Sequence, residues 1–430
     1  MISSKRAFAL ALAFGSFAAA APAFAQYGMG APAPAPAPPR PTAKEEAPAA
    51  AAGTRKFDIS SGARKALAEL QTAVNTKDAA NIPAKLAAAQ AVAKTKDDKY
   101  VIAQLQLKAA VDSKDNAGIT AGLEALVASG GASPSESLPL HANLGKQYFT
   151  AKQYDRAAAE FERVLALDSA YSDAMVMLAE TRKAQGRNAE AVALLQKGIA
   201  TRVAAGQKPT EDWYKRAVAV AYDAKLPVAG QLARDWVAAY PTPTNWRDTL
   251  RIYQTGSGLG DDVMIDVWRL QRAAGALAGE SDYYRYAKGV LTKGFPGEAK
   301  AVIEEGFAAK AIDRSKPIFR DVLAAANAKI PADRASLPGL EKTALAAAAA
   351  KQAMLTGDAY LGYGDYAKAA ALYRAALTKT GVDASLANLH LGIALARSGD
   401  KAGATAALNA VTGTRADIAK FWLLWLSVGG

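Results

Sequence analysis

HANLGKQYFTAKQYDRAAAEFERVLALDS, the stretch from His141 to Ser169, decides the fold of this chain. It reads as two helices joined by a turn at Lys152-Gln153. Gly145 and Ala157 carry almost no side chain, so the two helices can approach each other closely. Larger side chains fill the space beside that contact, namely Leu144, Tyr148 and Phe161. Such a pair cannot bury its outer apolar face alone, and the sequence therefore predicts further pairs stacked on both sides.

The same order of small and large residues returns along the chain. Leu178-Ala179 follows Leu144-Gly145 by 34 residues, and Gly392 follows Gly357 by 35. A weaker repeat precedes them, because AVNTKDAANI at residues 73–82 returns as AVDSKDNAGI with an offset of 37 residues. The pattern is weakest over residues 312–346. Ala dominates the apolar residues and has the highest helix propensity, so an all-α chain is expected.

This pattern resembles the tetratricopeptide repeat, and the chain is similar to signal-peptide-bearing repeat proteins of the bacterial envelope. The resemblance covers most of residues 57–428. It implies an all-α, α-α superhelical solenoid of about eight to ten helix pairs with a C-terminal capping helix. It also implies a concave groove, lined by the first helix of each pair, that binds a peptide or an extended segment of a partner protein.

The N-terminus has the features of a cleaved signal peptide. Lys5 and Arg6 precede an apolar run from Ala7 to Ala21, and Ala23-Phe24-Ala25 supplies the small residues that signal peptidase recognises. The alternative is a membrane anchor, but the run is shorter than the roughly 20 residues that a spanning helix needs. The sequence predicts four segments: a signal peptide at 1–25, an Ala/Pro-rich disordered linker at 26–56, degenerate helical repeats at 57–137, and the solenoid with its capping helix at 138–428.

Composition limits the classes of partner and of chemistry. The chain has no cysteine, which excludes disulfides, thiolate metal sites and cysteine nucleophiles. Its net charge is +12, spread along the whole sequence without a run of Lys and Arg, so we expect no nucleic-acid partner. His141 and His390 stand far apart, and we predict no catalytic residue, no metal and no cofactor. The glycine-rich residues 256–260 are interpreted as a turn between helices and not as a phosphate-binding loop.

Candidate groove residues flank the packing positions of the first helices. Aromatic and polar side chains together are suited to capturing a peptide. The candidates are Asn143, Lys146, Phe149, Tyr214, Tyr222, Asp248, Tyr284 and Lys288. The alternative for the tyrosines is that they pack between repeats.

The C-terminal segment FWLLWL, Phe421 to Leu426, is apolar on every side of a helix. One face can cap the last repeat, and we predict that Trp422 and Trp425 contact a partner protein or a second copy of the chain. Two alternatives are shallow insertion at a membrane surface and a helix that folds back and buries both tryptophans.

The functional expectation is a non-enzymatic periplasmic or outer-membrane-associated scaffold. It would bind protein segments, within a secretion, assembly or polysaccharide-export machine, and associate peripherally with the envelope. The alternative is a carbohydrate-binding or enzymatic envelope protein built on the same solenoid, which the aromatic groove candidates leave open.

We expect the mature chain to begin at Gln26, because cleavage after Ala25 satisfies the small-residue rule. N-terminal sequencing of the protein from fractionated cells checks this expectation. Recovery of a chain with an intact Met1 from the cytosol would refute it.

Overall fold

The computed structural model describes residues 55–256 and 260–430, and the regular elements in these residues are twenty α-helices and one short 3-10 helix, with no named strand. The predicted signal peptide, nearly all of the linker and the centre of the glycine-rich turn lie outside these residues. The predicted all-α solenoid is confirmed. The helices are α1 Arg64–Asn75, α2 Ile82–Val92, α3 Lys96–Ser113, α4 Asn116–Ala128, α5 Pro134–Thr150, α6 Tyr154–Leu167, α7 Ser172–Ala184, α8 Asn188–Ala204, α9 Glu211–Asp223, α10 Ala229–Ala239, α11 Pro243–Gly256, α12 Asp261–Ala273, α13 Gly279–Thr292, α14 Pro296–Ala308, α15 Pro317–Ala346, α16 Ala350–Gly362, α17 Tyr366–Leu377, α18 Ala384–Ser398, α19 Lys401–Asn409 and α20 Ala416–Ser427.

The helices form successive antiparallel pairs, as the repeat spacing predicts. Eight pairs between α1/α2 and α18/α19 are in contact within the described residues, α15 interrupts the series, and α20 follows the last pair. The region where the repeat signal is weakest is the single 30-residue helix α15. The chain divides into two compact units, one ending at Gln147 and one beginning at Tyr148, so the boundary falls inside α5.

The turn inside a pair has a recurring backbone geometry. In the turn that follows the first helix, a single residue adopts the left-handed conformation. The backbone N–H of the next residue then donates to a carbonyl inside that helix, as in Gln153 to Tyr148 (2.8 Å) and Asp400 to Leu395 (2.9 Å). The left-handed residues of these turns are Lys77, Lys114, Lys152, Gly186, Lys225, Gly294, Gly364 and Gly399. Half of them are lysines, which is why a search for glycine alone would find only some of the turns.

Small residues allow the paired helices to approach each other. A Cβ atom added at Gly357 of α16 would lie 2.7 Å from Cε1 of Tyr373 on α17, and one added at Gly392 of α18 would lie 2.5 Å from Cγ of Leu408 on α19. The neighbouring positions Ala369 and Ala404 are completely buried. Close packing at these sites is the reason for the small-large order in the sequence.

The second unit is not a simple row of pairs, because its C-terminal helix packs against helices far away in sequence. Helix α20 contacts α10 and α12 in addition to its neighbours α18 and α19. The ring of Phe421 lies 5.2 Å from that of Tyr253 on α11, and Phe421 belongs to one core cluster with Val237 and Leu270. The expectation that this helix lies only on the last repeat is therefore too simple, since in a simple solenoid each repeat contacts only its neighbours.

We expect Gly357→Leu to lower the free energy of unfolding by about 1–3 kcal/mol through overpacking. The ring of Tyr373 is completely buried and its hydroxyl is held 2.7 Å from Asp358, so it cannot move aside at low cost. Gly339→Ala on α15 is the control, because nothing lies within 4 Å of its added Cβ. That change should leave stability unchanged or raise it by about 0.5–1 kcal/mol. Denaturant unfolding measures both, and equal midpoints would contradict this account of the packing.

Candidate functional site

The predicted groove residues divide into exposed and buried groups. Asn143 and Lys146 are exposed on α5, and Phe149 is half-buried with its ring 5.7 Å from that of Tyr154. Tyr214 on α9 is 7% exposed and packs edge-on against Tyr240. The expectation that Tyr214 faces a partner is therefore wrong in this conformation, because its ring fills the space between two helix pairs.

The remaining candidates lie on the first helices of three successive pairs. Tyr222 on α9 is 41% exposed, and Asp248 on α11 is partly exposed beside Arg247 at 3.1 Å. On α13, Tyr284 is half-buried and Lys288 is exposed one helical turn later. We call Tyr222, Asp248, Tyr284 and Lys288 the first-helix surface residues.

Ion pairs connect these first helices directly. Arg216 of α9 lies 2.9 Å from Glu180 of α7, and Arg251 of α11 lies 3.5 Å from Asp282 of α13. Both pairs are partly exposed, so each contributes little to stability. They show which helices are neighbours, and they place α7 beside α9 and α11 beside α13.

The two tryptophans of α20 differ in their surroundings. Trp422 is completely buried, whereas Trp425 is half-buried, and their rings lie 5.5 Å apart. Trp422 offers no exposed surface in this conformation, because α20 folds back onto α10 and α12, as the alternative of a folded-back helix predicts for this ring. Trp425 keeps part of its ring accessible, and its role in a contact stays a prediction. Within the described residues, no helix combines the length and the apolar character needed to span a bilayer.

A buried group of charged side chains lies where the C-terminal helices meet the middle ones. We call Asp266, Arg269, Glu298, Asp358 and His390 the buried ion cluster. The Arg269 Nε and Nη2 atoms donate to the two carboxylate oxygens of Glu298 at 2.9 and 2.8 Å, and its Nη1 atom donates to Asp266 at 3.1 Å. This guanidinium therefore joins α12 to α14 by a bidentate pair, the strongest geometry available to arginine.

His390 continues the cluster from α12 to the C-terminal repeats. Its Nδ1 lies 2.7 Å from Asp358 of α16, and its Nε2 lies 3.3 Å from Asp266 of α12. Burial by itself would lower the pKa of His390, but the charges of Asp358 and Asp266 outweigh it and raise the pKa to about 10. Both ring nitrogens thus carry protons and donate. The same balance holds at Glu298, where burial would raise the pKa and the charge of Arg269 lowers it.

Two tyrosines complete the hydrogen bonding. The hydroxyl of Tyr286 donates to Glu298 at 2.6 Å, and that of Tyr373 donates to Asp358 at 2.7 Å. These donors occupy both oxygens of Glu298 and one oxygen each of Asp266 and Asp358, whereas Oδ2 of Asp266 is buried without a partner among the described residues. The bonds hold helices of the middle and C-terminal pairs together. No group of three or more His, Cys, Asp or Glu side chains within the described ranges could hold a metal ion.

Sequence reasoning did not single out the other four residues of this cluster, of which Asp266 and Asp358 contact His390. The available signal was a charged residue directly beside a small packing position, as with Asp358 after Gly357 and Glu298 before Ala299. A buried charge at such a place needs an opposite charge. The sequence does not indicate which of the 52 basic residues provides it.

The charge on His390 predicts a pH dependence of stability. Because its folded pKa of about 10 exceeds the ordinary value of 6.5, its contribution is complete below pH 6.5 and is lost as the pH rises toward 10. At pH 6, we expect His390→Gln to lower the free energy of unfolding by about 3–5 kcal/mol, since it leaves the buried carboxylate of Asp358 without its cation and that of Asp266 with Arg269 alone. The difference from the unmodified chain should narrow by pH 10.

Urea unfolding at the two pH values tests this prediction. Lys300→Gln is the control, because Lys300 is partly exposed and its pair with Glu304 is a surface pair at 3.7 Å. It should change stability little at either pH. A gap for His390→Gln that is the same at pH 6 and pH 10 would show that His390 is not charged in the folded chain.

Comparison with known proteins supports the repeat assignment. Residues 148–204 match a family model described as tetratricopeptide repeat. No curated protein matches the chain. A solved tetratricopeptide repeat protein from Parabacteroides merdae is 14% identical, with 69% of this chain and 99% of that chain covered and a TM-score of 0.33.

Two further solved structures are similar over long stretches. The TPR2AB domain of yeast Sti1 in complex with pHSP90 is 10% identical over 67% of this chain and 98% of that one, with a TM-score of 0.25. The structure of Naa15/Naa10 bound to HypK-THB is 14% identical over 85% of this chain and 65% of that one, with a TM-score of 0.27. The finding that supports the tetratricopeptide repeat is therefore the match of residues 148–204 to the family model.

Proposed function

We propose that this chain is an exported scaffold that binds protein segments on the first helices of its repeats. The observation that carries the proposal is the set of aromatic and charged side chains that the first helices of the middle pairs keep at the surface. The second helices α10 and α12 contact α20, and α14 contacts α16. Of the first helices, α11 contacts α20 through Tyr253 and α13 contacts α15, but Tyr222 and Lys288 stay exposed. The first helices α9, α11 and α13 keep aromatic and charged side chains at the surface.

The chemistry of these side chains suits a peptide partner. Tyr222 offers a large ring that loses little conformational entropy on binding, and Lys288 and Asp248 offer charge to fix the orientation of a segment. The N-terminal sequence supports export through a cleaved signal peptide. We infer that the scaffold acts in the periplasm or at the outer membrane, within a secretion, assembly or polysaccharide-export machine.

Site-specific cross-linking in the native host tests the binding surface. A photoreactive residue replaces Tyr222 in one strain and Leu167 in another, because Leu167 is similarly exposed, at 52%, but lies at the end of a second helix. We expect a discrete cross-linked partner from position 222 and none from position 167. The same products from both positions, or no product from position 222, would contradict the proposal.

Truncation of the Tyr222 side chain measures how much that side chain contributes to binding. With the partner identified, Tyr222→Ala should weaken binding by about tenfold or more, as expected for the loss of an aromatic contact worth over 1 kcal/mol. Leu167→Ala is the matched change and should leave the affinity unaltered.

A further inference from the structure

A small cleft lies beside the buried ion cluster, between the middle helices and the C-terminal ones. Its walls come from α12, α13, α14, α16, α17, α18 and α20, all within the second unit. Leu361, Ile393 and the indole of Trp422 form its apolar part. Three arginines and one glutamate line the rest, so charges of the positive sign prevail at its surface.

The acceptors that line the cleft are already occupied. Glu298 is the one carboxylate among the lining residues, and its two oxygens accept the bidentate pair from Arg269. One of these oxygens also accepts the hydroxyl proton of Tyr286 at 2.6 Å. A ligand that needs a carboxylate acceptor would find none free among these lining residues.

The donors, in contrast, are not all used. Trp422 is completely buried, and its indole N–H has no acceptor among the described residues. Arg272 donates through Nε to Glu305 at 2.7 Å, which leaves both of its terminal nitrogens available. A buried donor without an acceptor is destabilising, so an acceptor placed in the cleft would relieve that cost.

Two more donors stand at the open side of the cleft. Arg397 is exposed and forms no ion pair in the described part of the chain, and its guanidinium lies 5.9 Å from the ring centre of Tyr366. The hydroxyl of Tyr366 also has no hydrogen bond among the described residues. Every unsatisfied polar group that lines the cleft is thus a donor, and two of the four are guanidinium groups.

The size of the cleft narrows the class of ligand. Its space measures about 30 Å³, and one water-sized group occupies roughly 10–15 Å³ on this measure. Two oxygen atoms therefore fit, which is the footprint of a carboxylate. The apolar wall formed by Leu361 and Ile393 suits the short carbon chain that carries such a group.

We propose that this cleft is a binding site for a carboxylate, held by Arg272, Arg397, the hydroxyl of Tyr366 and the indole N–H of Trp422. The carboxylate belongs either to a free small acid or to an acidic side chain of a protein segment. Its bonds would connect α12 with α18 and α20, so binding would hold the C-terminal repeats against the middle ones. The site shares no residue with the first-helix surface. A test of carboxylate binding is therefore independent of a test of the proposed function.

Calorimetric titration of the purified full chain at constant ionic strength tests the site. The first probe is sodium acetate, and sodium chloride is its reference. The second probe is a capped Ala-Glu-Ala peptide, and the uncharged Ala-Gln-Ala peptide is its reference. Constant ionic strength is needed because salt screens exposed arginines. Binding of acetate points to a free small acid, and binding of the glutamate peptide alone points to a protein segment.

Two variants connect the binding to this cleft. Arg397→Gln removes an exposed charge without disturbing the core, and Trp422→Phe removes the indole N–H while keeping most of the buried ring. We expect each to weaken binding by at least about tenfold, as for the loss of a charge-assisted or buried hydrogen bond. Arg374→Gln is the control, because Arg374 is exposed on α17 and does not line the cleft.

The outcomes are decisive even if Trp422→Phe fails to fold, because Arg397→Gln alters only an exposed side chain. If neither probe binds the unmodified chain, the proposal is overturned. It is also overturned if Arg397→Gln and Arg374→Gln bind the probes equally well.

Discussion

The bidentate pair between Arg269 and Glu298 is the interaction on which the arrangement of the second unit depends. A guanidinium that is only 7% exposed is stable only if carboxylates surround it, because transfer of an isolated charge from water costs far more than a domain's whole stability. Arg269 lies on α12, Glu298 on α14, and the cluster extends through His390 to α18 and α16. Helices from the middle and the end of the chain must therefore meet before any of these charges can be buried.

The buried ion cluster holds the C-terminal helices against the middle ones, and this packing explains why the C-terminal helix can be apolar on all sides. Phe421 and Trp422 pack toward the core formed with α10, α11 and α12, and residues of α18 and α19 cover another side. A capping helix in a simple solenoid has one apolar face, since only one repeat lies beneath it. Here α20 lies between two layers, so a second apolar face has neighbours to contact.

The same packing of the C-terminal helices against the middle ones separates the first-helix surface from the cleft, on which the two proposals rest. Contacts with α20 and α16 involve α10, α12, α14 and Tyr253 of α11, and Tyr222 and Lys288 remain exposed on α9 and α13. The cleft with its unused donors arises at the junction itself, where Arg272 approaches from α12 and Arg397 from α18. One surface is broad and suits a protein segment, whereas the other is small and suits a single charged group.

The helix pairs, their close contacts and their turns were determined by the sequence itself. Gly357 and Gly392 recur at the repeat period because a helix face is set by local spacing, and the left-handed turns need only a few adjacent residues. The tertiary structure alone decided that Trp422 and Tyr214 are buried and which buried charges pair with each other. Arg269 and Glu298 are 29 residues apart, and Asp358 and His390 are 32 apart, so no periodic pattern joins them. Asp266 of α12 and His390 of α18 meet because the helices after α15 pack against the middle ones, since a buried ion needs its partner in space and not in sequence.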